Sequence, residues 1–395
     1  MHKIEELINK LCPNGIEKLL MKEVANVSIG EFVHKNKQND SFPYPVYNGG
    51  ISNTGYYKEY NNEGKKVLIS ARGANAGFVN KIDGRYWAGN SCYSISVKDE
   101  TKLDWNYLYY YMKNNESKLL DKQQTGSIPS ISKKQIEEFK VFVPPLEVQN
   151  EIVRILDELT IKSEKLNQNL NKELVLRQKQ YKYYKEKIIC KDINIKWVPL
   201  LNVANTYTGL TYKPSDVSSD GTLVLRSSNI QNNKLCFDDN VFVSIDNIPE
   251  RAIVKENDIL ICVRNGSKAL IGKSAIITKH DKKMAFGAFM TILRATDEIN
   301  SRYLLHVWQS SLIQDMIHND SGMPINQITK KMLEKMKIPV PKKEEQEKIA
   351  DTLDKFDAIF SEILDKINYE IDSQQKQYEY YRYKLLTFKE LKVNE

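Results

Sequence analysis

The sequence predicts an α+β protein of two globular domains, each followed by a long α-helix, in which the second half of the chain repeats the first. Three observations predict this. Residues 131–189 align with residues 328–386 at a constant offset of 197 without a gap, and about a third of the aligned positions are identical. Both stretches place apolar residues at spacings of three, four or seven, the mark of one buried face on a helix. Upstream of each, short β-type runs are punctuated by Gly- and Asn-rich turns, and there the copies match only with gaps. Loops accept insertions; a helix with a packed seam does not, because one extra residue turns its buried face by ~100°.

The first domain is expected over residues 1–145. Residues 67–70 and 94–97 read as strands, the turn Asn48-Gly49-Gly50 precedes them, and helical patterns follow at 104–120 and 132–139. The first long helix is expected over 146–190. Its seam is Ile152, Leu156, Leu159, Leu166, Leu170, Leu174, Tyr181, Tyr184 and Ile188. No Gly or Pro interrupts 146–189, and Pro144-Pro145 stands just before it, where proline is tolerated. Such a helix would be roughly 66 Å long at ~1.5 Å per residue. Its apolar seam needs a partner, and the other copy is the nearest at hand.

The second domain is expected over 191–342, with strands at 259–263 and 275–278, the turn Asn265-Gly266-Ser267, and helical patterns at 300–318 and 329–336. The last helix is expected over 343–395. Its seam residues Ile349, Leu353, Phe356, Ile363, Ile367, Ile371, Tyr378, Tyr381 and Leu385 answer those of the first. Individual matches are specific. Gln149 recurs as Gln346, Tyr183-Tyr184 as Tyr380-Tyr381, Gly30 as Gly209 and Arg72 as Arg264. A two-copy repeat of this length is too long for a solenoid unit and reads as a duplicated module.

Composition narrows the function. Lys and Arg number 58 against 51 Asp and Glu in 395 residues, 41% of the residues are apolar and 28% charged, the balance of an ordinary globular protein. No apolar run approaches the ~18–20 residues that cross a bilayer. Met1-His2-Lys3-Ile4-Glu5-Glu6 is acidic where a secretory signal is apolar. The five cysteines are scattered and never form a CxxC, so neither a disulfide framework nor a zinc site is expected. A cytoplasmic protein away from membranes fits. Net charge is +4 over residues 1–145 and +5 over 191–342, against +2 and −4 for the helical stretches. A polyanion would therefore meet the globular domains, with the helices as spacer.

Catalytic signatures are missing. Gly272-Lys273-Ser274 resembles the end of a phosphate-binding GxxxxGK loop. Position 267 is Ser where the first glycine belongs, however, and a strand pattern follows where a helix should begin. No GxGxxG follows a strand, and the histidines His2, His34, His280, His306 and His318 show no HExxH spacing. His306 sits in an apolar helical pattern and is expected in the core. Glu138-Phe139-Lys140 ends like a nuclease motif, but the repeat places Lys335-Met336-Lys337 there.

The order of Leu68-Ile69-Ser70-Ala71-Arg72-Gly73, Thr125-Gly126-Ser127-Ile128-Pro129-Ser130-Ile131 and Val143-Pro144-Pro145-Leu146-Glu147-Val148-Gln149, with the last two returning at 321–328 and 339–346, resembles the specificity subunit of type I restriction–modification systems. The resemblance runs over about residues 16–386. The second copy departs from it with Val263-Arg264-Asn265-Gly266 and with Met323-Pro324-Ile325-Asn326.

The resemblance implies that 1–145 and 191–342 are target-recognition domains, each reading half of an asymmetric bipartite DNA site. It implies that the helices pair as an antiparallel coiled coil, giving an internal pseudo-twofold. Two methyltransferase subunits would dock on this chain, and restriction subunits would join through them. Adenine methylation or cleavage would then belong to the partners, with their S-adenosylmethionine, ATP and Mg, and this chain would be non-catalytic and bind no cofactor. The other reading is a coiled-coil adaptor that binds only proteins.

Direct readout needs side-chain donors and acceptors, and phosphates need Arg, Lys and hydroxyls. In the first domain the candidates are the loop Asn48, Gly49, Gly50, Ser52 and Asn53; Arg72 and Asn75; Asn90 and Tyr93 near Trp87; and the loop Gln123, Gln124, Thr125, Gly126, Ser127 and Ser130. In the second they are Arg226, Ser228 and Asn229; Arg264, Asn265 and Ser267; Lys268 and Lys273 for phosphate; and Ser321, Gly322, Asn326 and Gln327. Tyr181, Tyr184, Tyr378 and Tyr381 are expected in helix packing or subunit docking.

Overall fold

The computed structural model describes residues 2–120, 129–191, 195–279, 283–319 and 327–391. Contacts divide the chain into two units, one formed by Met1–Leu170 with Asn368–Glu395 and the other by Asn171–Ile367. Each unit holds one globular domain, the beginning of one long helix and the end of the other.

In the first unit a four-stranded antiparallel sheet runs in the order Ala25–Ile29, Cys92–Val97, Lys65–Ser70, Val79–Asp83. The inner strand Lys65–Ser70 alternates between two cores: Val67 and Ile69 face the main one, and Leu68 packs with Tyr86 and Cys92 on the other side. A smaller sheet pairs Tyr44–Tyr47 with Tyr56–Tyr57 antiparallel and with Trp87–Ala88 parallel. The helix Trp105–Asn114 covers the main core. Asp104 caps it by accepting from Tyr107 N, and the fully buried Tyr107 donates its hydroxyl to Phe142 O.

The second unit repeats this arrangement. Ala204–Thr208, Met290–Ala295, Ile259–Cys262 and Ser274–Ile276 form the antiparallel sheet in the same order. Ile259 and Ile261 face one core and Leu260 and Cys262 another. The strand Thr222–Leu225 pairs parallel with Met284–Phe286. Asn300 caps Ser301–Gln309, and Tyr303 donates its hydroxyl to Pro339 O. His306 is buried in this helix, as its pattern predicts.

The long helices run Leu146–Ile189 and Lys343–Leu385. In the first unit Val148, Ile152 and Leu156 share a core with Leu385 and Leu386, and Thr160 meets Tyr378 at 3.0 Å. In the second unit Tyr181 stacks on Phe356 and Phe360 at 5.2 and 4.2 Å between ring centroids, Lys185 reaches Asp357 at 3.4 Å, and Ile189 joins the core of Ala350 and Leu353. Within each unit rising numbers on one helix meet falling numbers on the other, so the two segments run antiparallel.

Two details differ from the sequence reading. The last helix, expected to 395, ends at Leu385; beyond it Ile16 N donates to Lys389 O and Leu391 N to Ile16 O, both at 2.9 Å. Tyr184, expected in the seam, is 43% exposed. The seam steps by four from Tyr181 to Lys185 and again to Ile189, so Lys185 is buried in its place.

Glycines matched in the repeat have a packing reason. A Cβ on Gly30 would strike Ala88 O, and one on Gly209 would strike Gly287 O. Only glycine lets these segments lie so close to the neighbouring backbone.

Candidate nucleic-acid interface

In each domain the inner strand of the main sheet runs out into an exposed arginine, and the same backbone junction holds both. In the first, Ala71 N donates to Ser91 O at 2.8 Å, Ile131 N to Ala71 O at 2.9 Å, and Arg72 bridges Ser130. In the second, Val263 N and Arg264 N donate to Phe289 O at 3.0 and 3.1 Å, Ile328 N to Val263 O at 2.8 Å, and Arg264 bridges Gln327. Three loops thus converge on each arginine. They are the loop after the strand, the turn into the neighbouring strand, and the segment leading to the helix before the spacer.

A fourth loop joins each junction through the parallel strand pair. Gly89 N donates to Tyr47 O at 2.8 Å, and Gly287 N to Leu225 O at 2.9 Å. This sets Asn48, Gly49 and Gly50 in the first domain where Arg226, Ser227 and Ser228 stand in the second. Ser70 Oγ donates to Gly50 O at 3.0 Å, and a Cβ on Gly49 would meet Arg72 O. Asn265 Nδ2 donates to Ser227 Oγ at 3.2 Å.

The structure therefore brings together Asn48, Gly49, Gly50, Arg72, Asn90 and Ser130 in one domain, and Arg226, Ser228, Arg264, Asn265 and Gln327 in the other. Ser52 and Asn75 are exposed and Asn53 half-buried; Asn48 Nδ2 donates to Thr54 Oγ1 at 3.0 Å, which orders that loop. Ser267 and Lys268 are exposed and Lys273 is half-buried. Gln123, Gln124, Thr125, Gly126, Ser127, Ser321, Gly322 and Asn326 lie outside the described residues.

Two expected contact residues face inward instead. Tyr93 is 5% exposed; the sheet pleat turns it into the core, burial pushes its phenol pKa up, and its hydroxyl donates to Ile131 O at 3.1 Å. Asn229 is fully buried. Its Oδ1 accepts from Arg226 N, and its Nδ2 donates to Cys236 O and Asp239 O. Both residues position the loops and do not present themselves. Trp87 is half-buried, its indole donating to Glu31 O at 2.8 Å.

The sequence reading missed Phe289, which is 60% exposed beside Arg264. An apolar residue in a Gly-Ala-Phe turn carries no signal of exposure. On the helices, Tyr181 packs between the segments, Tyr378 and Tyr381 are half-buried, and Tyr184 stands out. Among the described residues no group of three or more His, Cys, Asp or Glu is placed to hold a metal, and no helix is long and apolar enough to cross a membrane.

Comparison with known proteins bears on this arrangement. A family model described as the type I restriction modification DNA specificity domain matches residues 13–176 and again 194–373. A Haemophilus influenzae protein named as a type I restriction enzyme specificity subunit is 28% identical over 354 residues, covering 87% of this chain and 88% of its own. The EcoR124I/EcoR124II specificity subunit of Escherichia coli is 29% identical over 314 residues, covering 74% and 73%. Among solved structures, a chain from a study of complex assembly and conformational transition in the type I restriction–modification system aligns with a TM-score of 0.75 at 15% identity, over 95% of this chain and 98% of its own.

Proposed function

The chain belongs to the type I restriction modification DNA specificity family, and from that premise we propose that it is the DNA specificity subunit of such a complex, reading an asymmetric bipartite site. One observation carries the reading: a single chain contains the family's domain twice, and each copy builds the same arginine-centred junction from different loop residues. Like backbone placement makes both copies readers; unlike side chains make their half-sites differ in sequence.

The long helices serve as the spacer that sets the distance between half-sites. Two methyltransferase subunits dock on the chain, and restriction subunits join through them. The partners hold S-adenosylmethionine, ATP and Mg and carry out adenine methylation or cleavage in the cytoplasm; this chain supplies recognition and geometry. A coiled-coil adaptor without DNA recognition is the less favoured reading, because it leaves the duplicated junctions without a use.

Methylation mapping of a host expressing the chain with its methyltransferase partner tests the proposal. The expected product is a modified site split into two unlike halves. Modification at a continuous site, or methyl transfer by this chain alone, would overturn it.

A further inference from the structure

The second domain carries a cavity of about 670 Å³ beside the Arg264 junction. Leu210, Tyr212, Val217 and Met290 give it apolar walls, and Arg226 and Ser228 also line it. Two buried polar atoms of that lining, Arg226 Nε and Ser228 Oγ, have no hydrogen-bond partner. Leaving buried donors unpaired is costly, so this wall suits an occupant that accepts hydrogen bonds. Phe289 lines the cavity too while remaining largely exposed, and the Arg264 guanidinium lies 5.7 Å from its ring centroid. An exposed ring next to an arginine has the composition of a base-stacking platform. The volume falls among those of small-molecule sites, roughly 300–1,000 Å³, and is ample for one nucleobase.

The first domain shares the junction but lines it with different side chains. Gly49 and Gly50 stand in place of Ser227 and Ser228, and Ser91 stands in place of Phe289.

We propose that this cavity receives one base turned out of the duplex at the half-site read by the second domain. The base stacks on Phe289, and its polar edge faces the Arg226 and Ser228 side of the cavity. The inference rests on the DNA specificity reading. An enzyme that modifies a base draws it out of the stack, which leaves the opposite base unpaired. A base already unpaired costs least to take up, and its polar edge is free.

The test uses the full chain assembled with its methyltransferase partner, and duplexes carrying the site fixed by methylation mapping. Each base pair of the second domain's half-site is replaced in turn by a mismatch, and affinity is measured at constant salt. At one position the mismatch is expected to tighten binding about tenfold, because the pair no longer has to be opened. F289A and S228A are expected to lose that gain and also to bind the perfect duplex more weakly than the parent, F289A by about tenfold, since the ring it removes carries the stack. Phe289 is exposed, so equal thermal melting of F289A is expected; should it melt lower, F289L, which keeps an apolar wall but no ring, carries the comparison. No gain at any position, or a gain that these variants retain, overturns this inference and leaves the specificity reading standing. Failure of the parent complex to bind any duplex overturns both.

Discussion

Tyr181 donates its hydroxyl hydrogen to the Asp357 carboxylate at 2.5 Å. The repeat partners of these two residues, Tyr378 and Thr160, meet hydroxyl to hydroxyl at 3.0 Å in the other unit. One duplicated contact is ionic in one copy and neutral in the other. Around Asp357 stand Lys185 at 3.4 Å and His306 Nδ1 at 3.6 Å, while His306 Nε2 lies 2.7 Å from Asp354. Around Thr160 stands Tyr110, which donates to Asp157 at 2.6 Å, and Arg382 lies over the Tyr378 ring at 5.5 Å. Tyr110 thus takes the place of His306, and Arg382 that of Lys185.

The charged version predicts an asymmetry between its two partners. Lys185 is 3% exposed, whereas the Asp357 side chain keeps 31% of its surface. D357A strands a buried ammonium and is expected to cost about 3 kcal/mol. K185M keeps the aliphatic stem and leaves a carboxylate that still reaches water and Tyr181, for about 1 kcal/mol. Urea unfolding of the two variants checks this, and equal losses would contradict it.

The same cluster predicts a pH dependence. Burial, then the Lys185 ammonium, lowers the His306 pKa from its ordinary 6.5 against the opposing pull of Asp357 and Asp354. The imidazole is therefore neutral at pH 7 and donates its Nε2 hydrogen to Asp354. Below the ordinary value the unfolded chain binds a proton that the folded chain does not, so stability falls as pH drops through 6.5 towards the folded value. The loss approaches ~1.4 kcal/mol per pH unit at most. Unfolding of the second unit followed from pH 7.5 to 5.5 should show it, and H306Q should flatten the curve. An unchanged slope in H306Q would assign the effect to other groups.

Gln149 and Gln346 fasten the start of each long helix. Gln149 accepts from Asp104 N at 2.8 Å and donates to Lys102 O and Pro144 O at 2.8 and 2.6 Å. Gln346 accepts from Asn300 N at 2.7 Å and donates to Glu298 O and Pro341 O at 3.2 and 2.9 Å. Both side chains are buried. Replacing either by Ala orphans three backbone groups, an expected loss of about 2–4 kcal/mol. Hydrogen exchange should locate the loss in the first unit for Q149A and in the second for Q346A.

Lys268 and Arg264 should separate by their response to salt and sequence. K268A is expected to weaken DNA binding evenly across sequences and to make the slope of log affinity against log salt shallower by about 1. R264A is expected to cost about 1–3 kcal/mol and to relax the preference at one base pair. Competition among duplex variants at several salt concentrations distinguishes the two, and matching profiles would deny Arg264 a reading role.

What could be read before the structure was whatever the chain states twice or states periodically. Gln149 and Gln346 stood out as a matched pair, and the long helices begin at Leu146 and Lys343, close to where the prolines end. The strands at 67–70 and 259–263 were visible because their buried runs are bounded by turns. The parallel pairing of Tyr44–Tyr47 with Trp87–Ala88 was not, since two-residue strands leave no period and the partners lie far apart in sequence. Tyr93 and Asn229 have polar groups that suit a contact surface; only the pleat and the local backbone carbonyls reveal that those groups are already satisfied. Phe289 failed in the opposite direction, because ring exposure depends on where the turn stands and not on its composition.

The segment after the last helix has a consequence for how the molecule is made. The second unit is one continuous stretch of polypeptide, but the first needs Leu385 and Leu386 in its core and Phe388 packed against it. A nascent chain leaves the ribosome amino end first. The earlier half to be synthesised must therefore wait, with its core unsealed, for residues that follow the whole of the second unit, while the later half already has all its parts. The order in which the two halves become complete is the reverse of the order in which they are begun.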